Sequence, residues 1–313
     1  MIDNIVDETN VGVIHFTKCS PTSTIASARI ARFIQEELEN SRIPVSLIDT
    51  KEKADLCIRE RFDVLFVVNG PFGFCDWREE CVGIVKKADY IIYVQNDYAI
   101  KPPSQFKKAG IKFDEIYTTC KGEGRYINWN QLTYNKDLIN AKGKGLHSID
   151  GLLYYGAFRE GREAYFKTYF DTYMYRTNIS TTPKARAKFQ AINSQKNNHF
   201  YGPFSQLAMM KNFKTSIYIE DKGSHNQIHS LANRFYEMLS ANLAILVDVN
   251  AVPIFEWSGL ELHDSFIVER AKDVDDVVRH DYIGIRMFQA KHWRANYRRN
   301  LQNEFKNLIK EIL

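Results

Sequence analysis

The sequence lacks any apolar run approaching the roughly 20 residues needed to cross a bilayer, so a membrane-spanning helix is not expected. Its N-terminus, MIDNIVDETN, is polar and acidic and does not read as a signal peptide. The five cysteines (Cys19, Cys57, Cys75, Cys81 and Cys120) include no CxxC pair and are odd in number. That disfavours a zinc ribbon or a disulfide framework and points to a reducing, cytoplasmic location. His225 and His229 lie four apart, but no third ligand is near them in sequence, so no metal site is expected. There is no GxxxxGK[ST], GxSxG or HExxH motif, which removes the usual signs of an ATPase, an α/β hydrolase or a metalloprotease. Net charge is scarce as well: 42 Lys and Arg against 38 Asp and Glu leave +4, too little for a histone-like chain. Tandem repeats and low-complexity tracts are absent.

What is present is a 313-residue chain of ordinary globular composition, 44% hydrophobic and 26% charged. That length suits two domains, each with its own core. Short apolar runs at 11–16, 45–48, 64–68, 90–94 and 113–117 alternate with helical periodicity, as in 25–38. Near-continuous apolar strands separated by helices predict a parallel sheet covered on both faces. Residues 141–151 (AKGKGLHSIDG) read as a linker. The alternation then restarts, with strands at 152–155, 176–180, 215–220, 244–248 and 266–268. Helices are expected at 160–173, 183–192, 228–240, 273–280 and 290–312. The fold class is therefore α/β with two Rossmann-like, doubly wound domains, 1–144 and 145–288, facing a central cleft, followed by a C-terminal helical segment, 289–313. In such sheets ligands bind beyond the carboxyl ends of the strands, so the loops there are where chemistry is expected.

In the second domain the loop from Lys222 leads into a helix carrying Asn233, Arg234 and Glu237. Arg234 and Glu237 are three apart and share a helical face. They suit a phosphate and a ribose diol, or simply an i, i+3 ion pair. Ser224 and His225 lie in the polar loop before that helix, where phosphate or sugar would be met. After the strand at 152–155, Gly156 permits close backbone approach, and Arg159 and Arg162 open a helix. Two guanidinium groups there suit a diphosphate. The alternative is a solvated basic first turn, which would oppose the helix dipole. In the first domain, the strand at 90–94 runs into Gln95, Asn96 and Asp97. Asp97 can accept the proton of an attacking hydroxyl with Asn96 and Gln95 orienting it, or it can cap a helix. Lys18 and Ser20 follow the first strand. Phe72, Phe74 and Trp77 crowd a Gly/Pro loop after the third, either as a stacking platform for an extruded base or as a satellite core.

The order YYG-x-x-R-x-x-R, a strand, an Arg-Phe-Tyr-Glu helix, a small-residue turn and ILVD resembles the donor half of GT-B glycosyltransferases. The strand ending in Gln-x-Asp is similar to the phage enzymes that glucosylate 5-hydroxymethylcytosine in DNA. The resemblance implies a nucleotide-sugar donor, a UDP-sugar, held at the ribose by Glu237 and at the diphosphate by Arg159, Arg162 and Arg234. It implies Asp97 as base and a final helix returning to the first domain. Ser240-Ala241-Asn242 stands where the family often has glycine.

Charge is unevenly spread: residues 101–144 carry +5, 157–214 carry +7 and 289–313 carry +4. These basic stretches suit a polyanionic acceptor such as double-stranded DNA. The stretch 291–299 (KHWRANYRR) adds Trp293 and Tyr297 among cations. The expectation is a UDP-sugar glycosyltransferase acting on a hydroxymethylated pyrimidine in phage DNA. It needs no metal, because arginines neutralise the leaving diphosphate. The alternatives are the same fold acting on a saccharide or small molecule, a nucleotide-sugar epimerase, and a non-catalytic nucleic-acid-binding protein.

Overall fold

A computed structural model describes residues 9–19, 26–70, 72–95, 102–119, 124–133, 147–156, 158–192, 198–202, 207–220, 231–294 and 297–313. The side chains of residues 74, 130, 133, 207–208 and 297–300 lie outside that description. The chain divides into two compact units: residues 1–132 with 298–313, and residues 133–297.

The first unit holds a six-stranded sheet: β1 (Val11–His15), β2 (Val45–Ile48), β3 (Val64–Val68), β4 (Tyr90–Gln95), β5 (Glu115–Thr118) and β6 (Arg125–Tyr126). The order is β2-β1-β3-β4-β5-β6 and every pairing is parallel. β1 and β3 are buried along their whole length, as expected of strands covered on both faces. Their side chains alternate between two cores. Val64, Phe66 and Val68 face α1 (Ala26–Asn40), while Leu65 and Val67 face α2 (Lys51–Cys57) and α3 (Arg78–Val85). A shorter helix, α4 (Ser104–Lys108), buries Phe106 on that second side.

The second unit repeats the plan with β7 (Ile149–Tyr155), β8 (Thr177–Ser180), β9 (Asn198–Tyr201), β10 (Phe213–Tyr218), β11 (Ala244–Asp248) and β12 (Ile267–Val268). The order β12-β11-β10-β7-β8-β9 is again all parallel. Its helices are α5 (Glu163–Phe170), α6 (Pro183–Ile192), α7 (Asn233–Ser240), α8 (Val252–Trp257), α9 (Ala271–Asp276) and α10 (Tyr282–Gln289). The buried Gln289 amide locks α10 to β11: its Oε1 accepts from the Ile245 N–H at 2.9 Å and its Nε2 donates to the Ile245 carbonyl at 2.7 Å. One side chain thereby satisfies both polar groups of a buried strand residue.

The last helix, α11 (Tyr297–Ile312), belongs to the first unit's core. Leu301, Phe305, Leu308 and Ile309 are buried there. The Phe305 ring lies 5.6 Å from Phe33 and 6.1 Å from Trp129. Gln302 donates to the buried Glu37 at 2.7 Å, and Arg125 forms an ion pair with Glu311.

Several sequence expectations change. The segment 141–151 is not a linker throughout, because β7 begins at Ile149. Gly151 lies inside that strand at φ +93°, and a Cβ there would collide with the Arg176 carbonyl oxygen. Its role is close backbone approach, not flexibility. The helix expected over 160–173 is a 3₁₀ turn (Glu160–Arg162) followed by α5, which stops at Phe170. Beyond it the Tyr175 hydroxyl turns back and donates to the Tyr169 carbonyl at 2.7 Å, satisfying an end carbonyl. Within the helix expected over 290–312, the described residues form a π-helical turn (Ala290–Arg294) and α11 (Tyr297–Ile312). β9, a polar edge strand, has no counterpart in the sequence reading.

Candidate functional site

In both sheets the strand order reverses at a defined place. In the second unit this lies between β7 and β10, and in the first between β1 and β3. The crevice at the carboxyl ends of such strands is the general ligand position of doubly wound sheets. The second unit brings Arg162, Glu220 and Arg234 together there.

β7 ends at Tyr155 and Gly156 follows at φ +150°, where an added Cβ would reach 3.1 Å from the Tyr154 hydroxyl. The 3₁₀ turn then delivers Arg162, which is buried at 1% exposure. Its Nη1 donates to the Tyr154 hydroxyl at 3.0 Å and its Nη2 to Glu220 Oε2 at 2.8 Å. Glu220 follows the end of β10 and is itself buried. Its other oxygen, Oε1, accepts from the Tyr218 hydroxyl at 2.8 Å and forms an ion pair with Arg234. Arg234 also donates to the Ile219 carbonyl at 2.6 Å, and its guanidinium stands 5.1 Å over the Tyr218 ring. The Tyr218 hydroxyl accepts from the Ala232 N–H at 2.9 Å, fixing the residue before α7.

Burial alone would raise the Glu220 carboxyl. The adjacent guanidiniums of Arg234 and Arg162 outweigh it and hold the group below the usual carboxylate range. Two guanidiniums, one from the 3₁₀ turn after β7 and one from α7, are thus tied through one ionised carboxylate. Of the other candidates, Arg159 is exposed, and Asn233 and Glu237 are half-buried on α7.

This geometry corrects two expectations. Arg234 pairs with Glu220, not in an i, i+3 pair with Glu237. Arg162 is enclosed between Tyr154 and Glu220, so in this conformation it is a buried brace and not an open diphosphate ligand. In the turn after α7, Asn242 takes φ +63°, the left-handed position that asparagine tolerates best after glycine. Ser224 and His225 lie outside the described residues.

In the first unit, Gln95 is half-buried at the end of β4, and its carbonyl accepts from the Thr119 N–H at 3.3 Å. Asn96 and Asp97, the expected orienter and base, lie outside the described residues, as does Ser20. Lys18 is exposed on the turn after β1. Phe72 and Trp77 correct the stacking-platform expectation, because both rings are buried in the core beneath their loop. Phe72 meets Phe16 edge-on at 4.7 Å and Phe106 at 5.4 Å. Arg78 closes the loop by donating to the Cys75 carbonyl at 2.6 Å and the Gly73 carbonyl at 2.7 Å. The Phe74 side chain is outside the description. Trp293 of the basic stretch is likewise core, and its indole N–H is held by the Glu261 carbonyl at 2.8 Å.

The sequence reading missed Glu220 and His15. His15 ends β1 and is fully buried. The Thr17 carbonyl, 2.6 Å from its Nδ1, can only accept, so Nδ1 carries the hydrogen and Nε2 accepts from the Ser27 hydroxyl at 2.9 Å. Burial lowers its pKa despite the Thr17 carbonyl and Asp49. The only sequence signal for either residue was a polar side chain closing an apolar strand. Among the described residues no group of three or more His, Cys, Asp or Glu is arranged to hold a metal ion, and no helix is long and apolar enough to cross a membrane.

No protein-family model and no curated protein sequence matches the chain. Solved structures do. T4 phage β-glucosyltransferase in complex with its UDP-glucose substrate is 14% identical, with a TM-score of 0.65, over 96% of this chain and 99% of that one. An α-glucosyltransferase in complex with UDP and a 13-mer DNA is 11% identical, with a TM-score of 0.53, over 97% and 99%. AviGT4, a glycosyltransferase of avilamycin A biosynthesis, is 10% identical, with a TM-score of 0.52, over 97% and 98%. At such identities the likeness is one of architecture: with two all-parallel six-stranded α/β units matched across nearly its whole length, this chain has the GT-B fold of these glycosyltransferases.

Proposed function

We propose that the chain is a glycosyltransferase that moves a sugar from a UDP-sugar to the hydroxymethyl oxygen of a modified pyrimidine in DNA. The observation that carries this reading is the paired-arginine cluster around Glu220 at the switch point of the second sheet. A preorganised positive site there suits a diphosphate whose charge grows as the sugar leaves. Support comes also from the similar structures, which contain UDP-glucose in one case and UDP with DNA in another.

In the proposed reaction the acceptor oxygen attacks the anomeric carbon and Asp97 takes its proton. Asn96 and Gln95 orient that carboxylate. The bond from the anomeric carbon to the diphosphate breaks, and UDP departs with the electron pair. Arg159 and Arg234 receive the growing phosphate charge, with Arg162 bracing Glu220. Glu237 accepts the ribose hydroxyls, and Gly156, Ser224, His225 and Asn233 line the donor. Lys18, Ser20 and Phe74 contact the acceptor. The positive charge on the leaving group's side is supplied by arginine, so the reaction needs no divalent metal. One similar structure holds UDP with Mn2+, which makes chelation a direct part of the test.

The experiment is transfer from a radiolabelled UDP-sugar, with and without a chelator, to hydroxymethylated duplex DNA, plain duplex, simple saccharides and no acceptor. Label on hydroxymethylated duplex alone, unaffected by chelator, is the expected result. Label on saccharides instead would assign a small-molecule acceptor, as the similarity to AviGT4 allows. Conversion of donor without acceptor would indicate an epimerase. For Asp97→Ala the expectation is lost transfer with UDP binding retained; DNA binding with no turnover by the wild type would leave a non-catalytic binding protein.

A further inference from the structure

Residues 172–219 contain no aspartate or glutamate. At the chain's own average of 38 acidic residues in 313, such a stretch would hold about six. It carries seven Lys and Arg instead. Folded surfaces ordinarily intersperse both signs, so an acid-free stretch of this length needs a reason.

The structure shows where part of that charge lies. The stretch builds β8, α6, β9 and β10, and β9 is the outer edge of the second sheet. α6 buries Ala185 and Phe189 and exposes Lys184, Arg186 and Lys188. Two of these are steadied by rings: the Arg186 guanidinium stands 4.9 Å over Phe200 of β9, and the Lys188 ammonium 5.5 Å over Phe158. Consecutive β9 side chains point to opposite faces. Next along the strand, the Tyr201 hydroxyl accepts from the exposed Arg176 at 3.1 Å. The edge strand therefore carries a guanidinium against each of two successive side chains. None of Arg176, Lys184, Arg186 or Lys188 forms an ion pair among the described residues. Lys184 and Arg186 also occupy the first turn of α6, where the helix dipole disfavours cations. The helix dipole does not favour that placement, whereas an external polyanion would.

We infer that α6 and the β9 edge form a nucleic-acid phosphate-binding surface that grips the duplex backbone without reading sequence. The identity of the polyanion rests on the proposed DNA acceptor, and the position of the surface does not. Lys184, Arg186 and Lys188 each neutralise about one phosphate, so each contributes about 0.9 to the slope of log K against log salt.

The test is duplex binding by fluorescence anisotropy across a salt series, for the wild type, for the triple variant Lys184→Ala, Arg186→Ala, Lys188→Ala, and for the double variant Lys184→Ala, Lys188→Ala, which keeps the Arg186–Phe200 contact. The triple variant should flatten the slope by about 2.7 and the double by about 1.8. Affinity should fall at least tenfold near physiological salt, equally for plain and hydroxymethylated duplex. Melting temperature and UDP binding should stay unchanged. Unaltered slopes in a wild type that binds and modifies duplex would overturn this surface and leave the proposed function standing. A wild type that binds UDP but no duplex would overturn the DNA acceptor and this surface together. Displacement of duplex by poly-glutamate as effective as by plain duplex would replace nucleic acid with an acidic protein partner and overturn the inference.

Discussion

Arg162 donates to Glu220 at 2.8 Å across 58 residues of sequence, and both side chains are buried. Removing one partner of a buried ion pair strands the other charge. Glu220→Ala should therefore cost about 3–5 kcal/mol in urea denaturation. Glu220→Gln keeps the shape but not the charge, and should weaken UDP binding at least tenfold by calorimetry while the protein stays folded. Undiminished UDP affinity in a folded Glu220→Gln protein would remove Glu220 from the donor site.

Glu237 is half-buried on α7, three residues from Arg234 and not paired with it. A carboxylate receiving ribose hydroxyls contributes about 1.5–3 kcal/mol. Glu237→Ala should weaken UDP binding roughly 10- to 150-fold, the affinity equivalent of that energy, and leave inorganic pyrophosphate binding unchanged. Equal losses for both ligands would place Glu237 at the phosphates or in the scaffold.

Phe72 is enclosed by Phe16 and Phe106. Phe72→Ala should destabilise the protein by about 3–5 kcal/mol, the ordinary result of emptying a buried ring site. Thermal denaturation checks this. A variant as stable as wild type but defective in acceptor binding would return Phe72 to the acceptor surface.

His15 is held neutral by burial, against the raising influence of the Thr17 carbonyl and Asp49. The unfolded imidazole titrates near 6.5. Below that pH the unfolded chain binds a proton that the folded chain refuses, so stability rises with pH through this window. The contribution is present above about 6.5 and is lost on acidification toward the folded pKa, with a slope of at most about 1.4 kcal/mol per pH unit. Urea denaturation at neutral pH and at about pH 5.5 should show a larger acid loss for wild type than for His15→Gln. Equal losses would mean that other groups, such as His147, whose pKa burial also lowers, carry the acid sensitivity.

The two parallel sheets were legible in the sequence because their central strands are buried on both faces. Val64–Val68 must read as an unbroken apolar run, and it does. The Arg234–Glu237 spacing was legible because a helical period is local. Glu220 was not, because it acts through Arg162, Arg234 and Tyr218, and no period links a strand end to a turn 58 residues earlier. Phe72 and Trp77 were ambiguous for the same reason, since a loop aromatic is buried or exposed according to what lies beneath it, here Phe16 and Phe106 among others. β9 was missed because an edge strand such as Asn198–Tyr201 has no continuous apolar signature.

By itself, then, the sequence determined the α/β class, the chain order of strands and helices and the uneven charge, all of which follow from local hydrophobic periodicity and composition. The tertiary structure decided which charges meet. It joined Arg162 to Arg234 through Glu220, closed Phe72 and Trp77 into the core, and set Arg176 and Arg186 against neighbouring side chains of one edge strand. The pairings in the second unit depend on how β7, β8, β9 and β10 align side by side, and that alignment brings together residues that are distant along the chain.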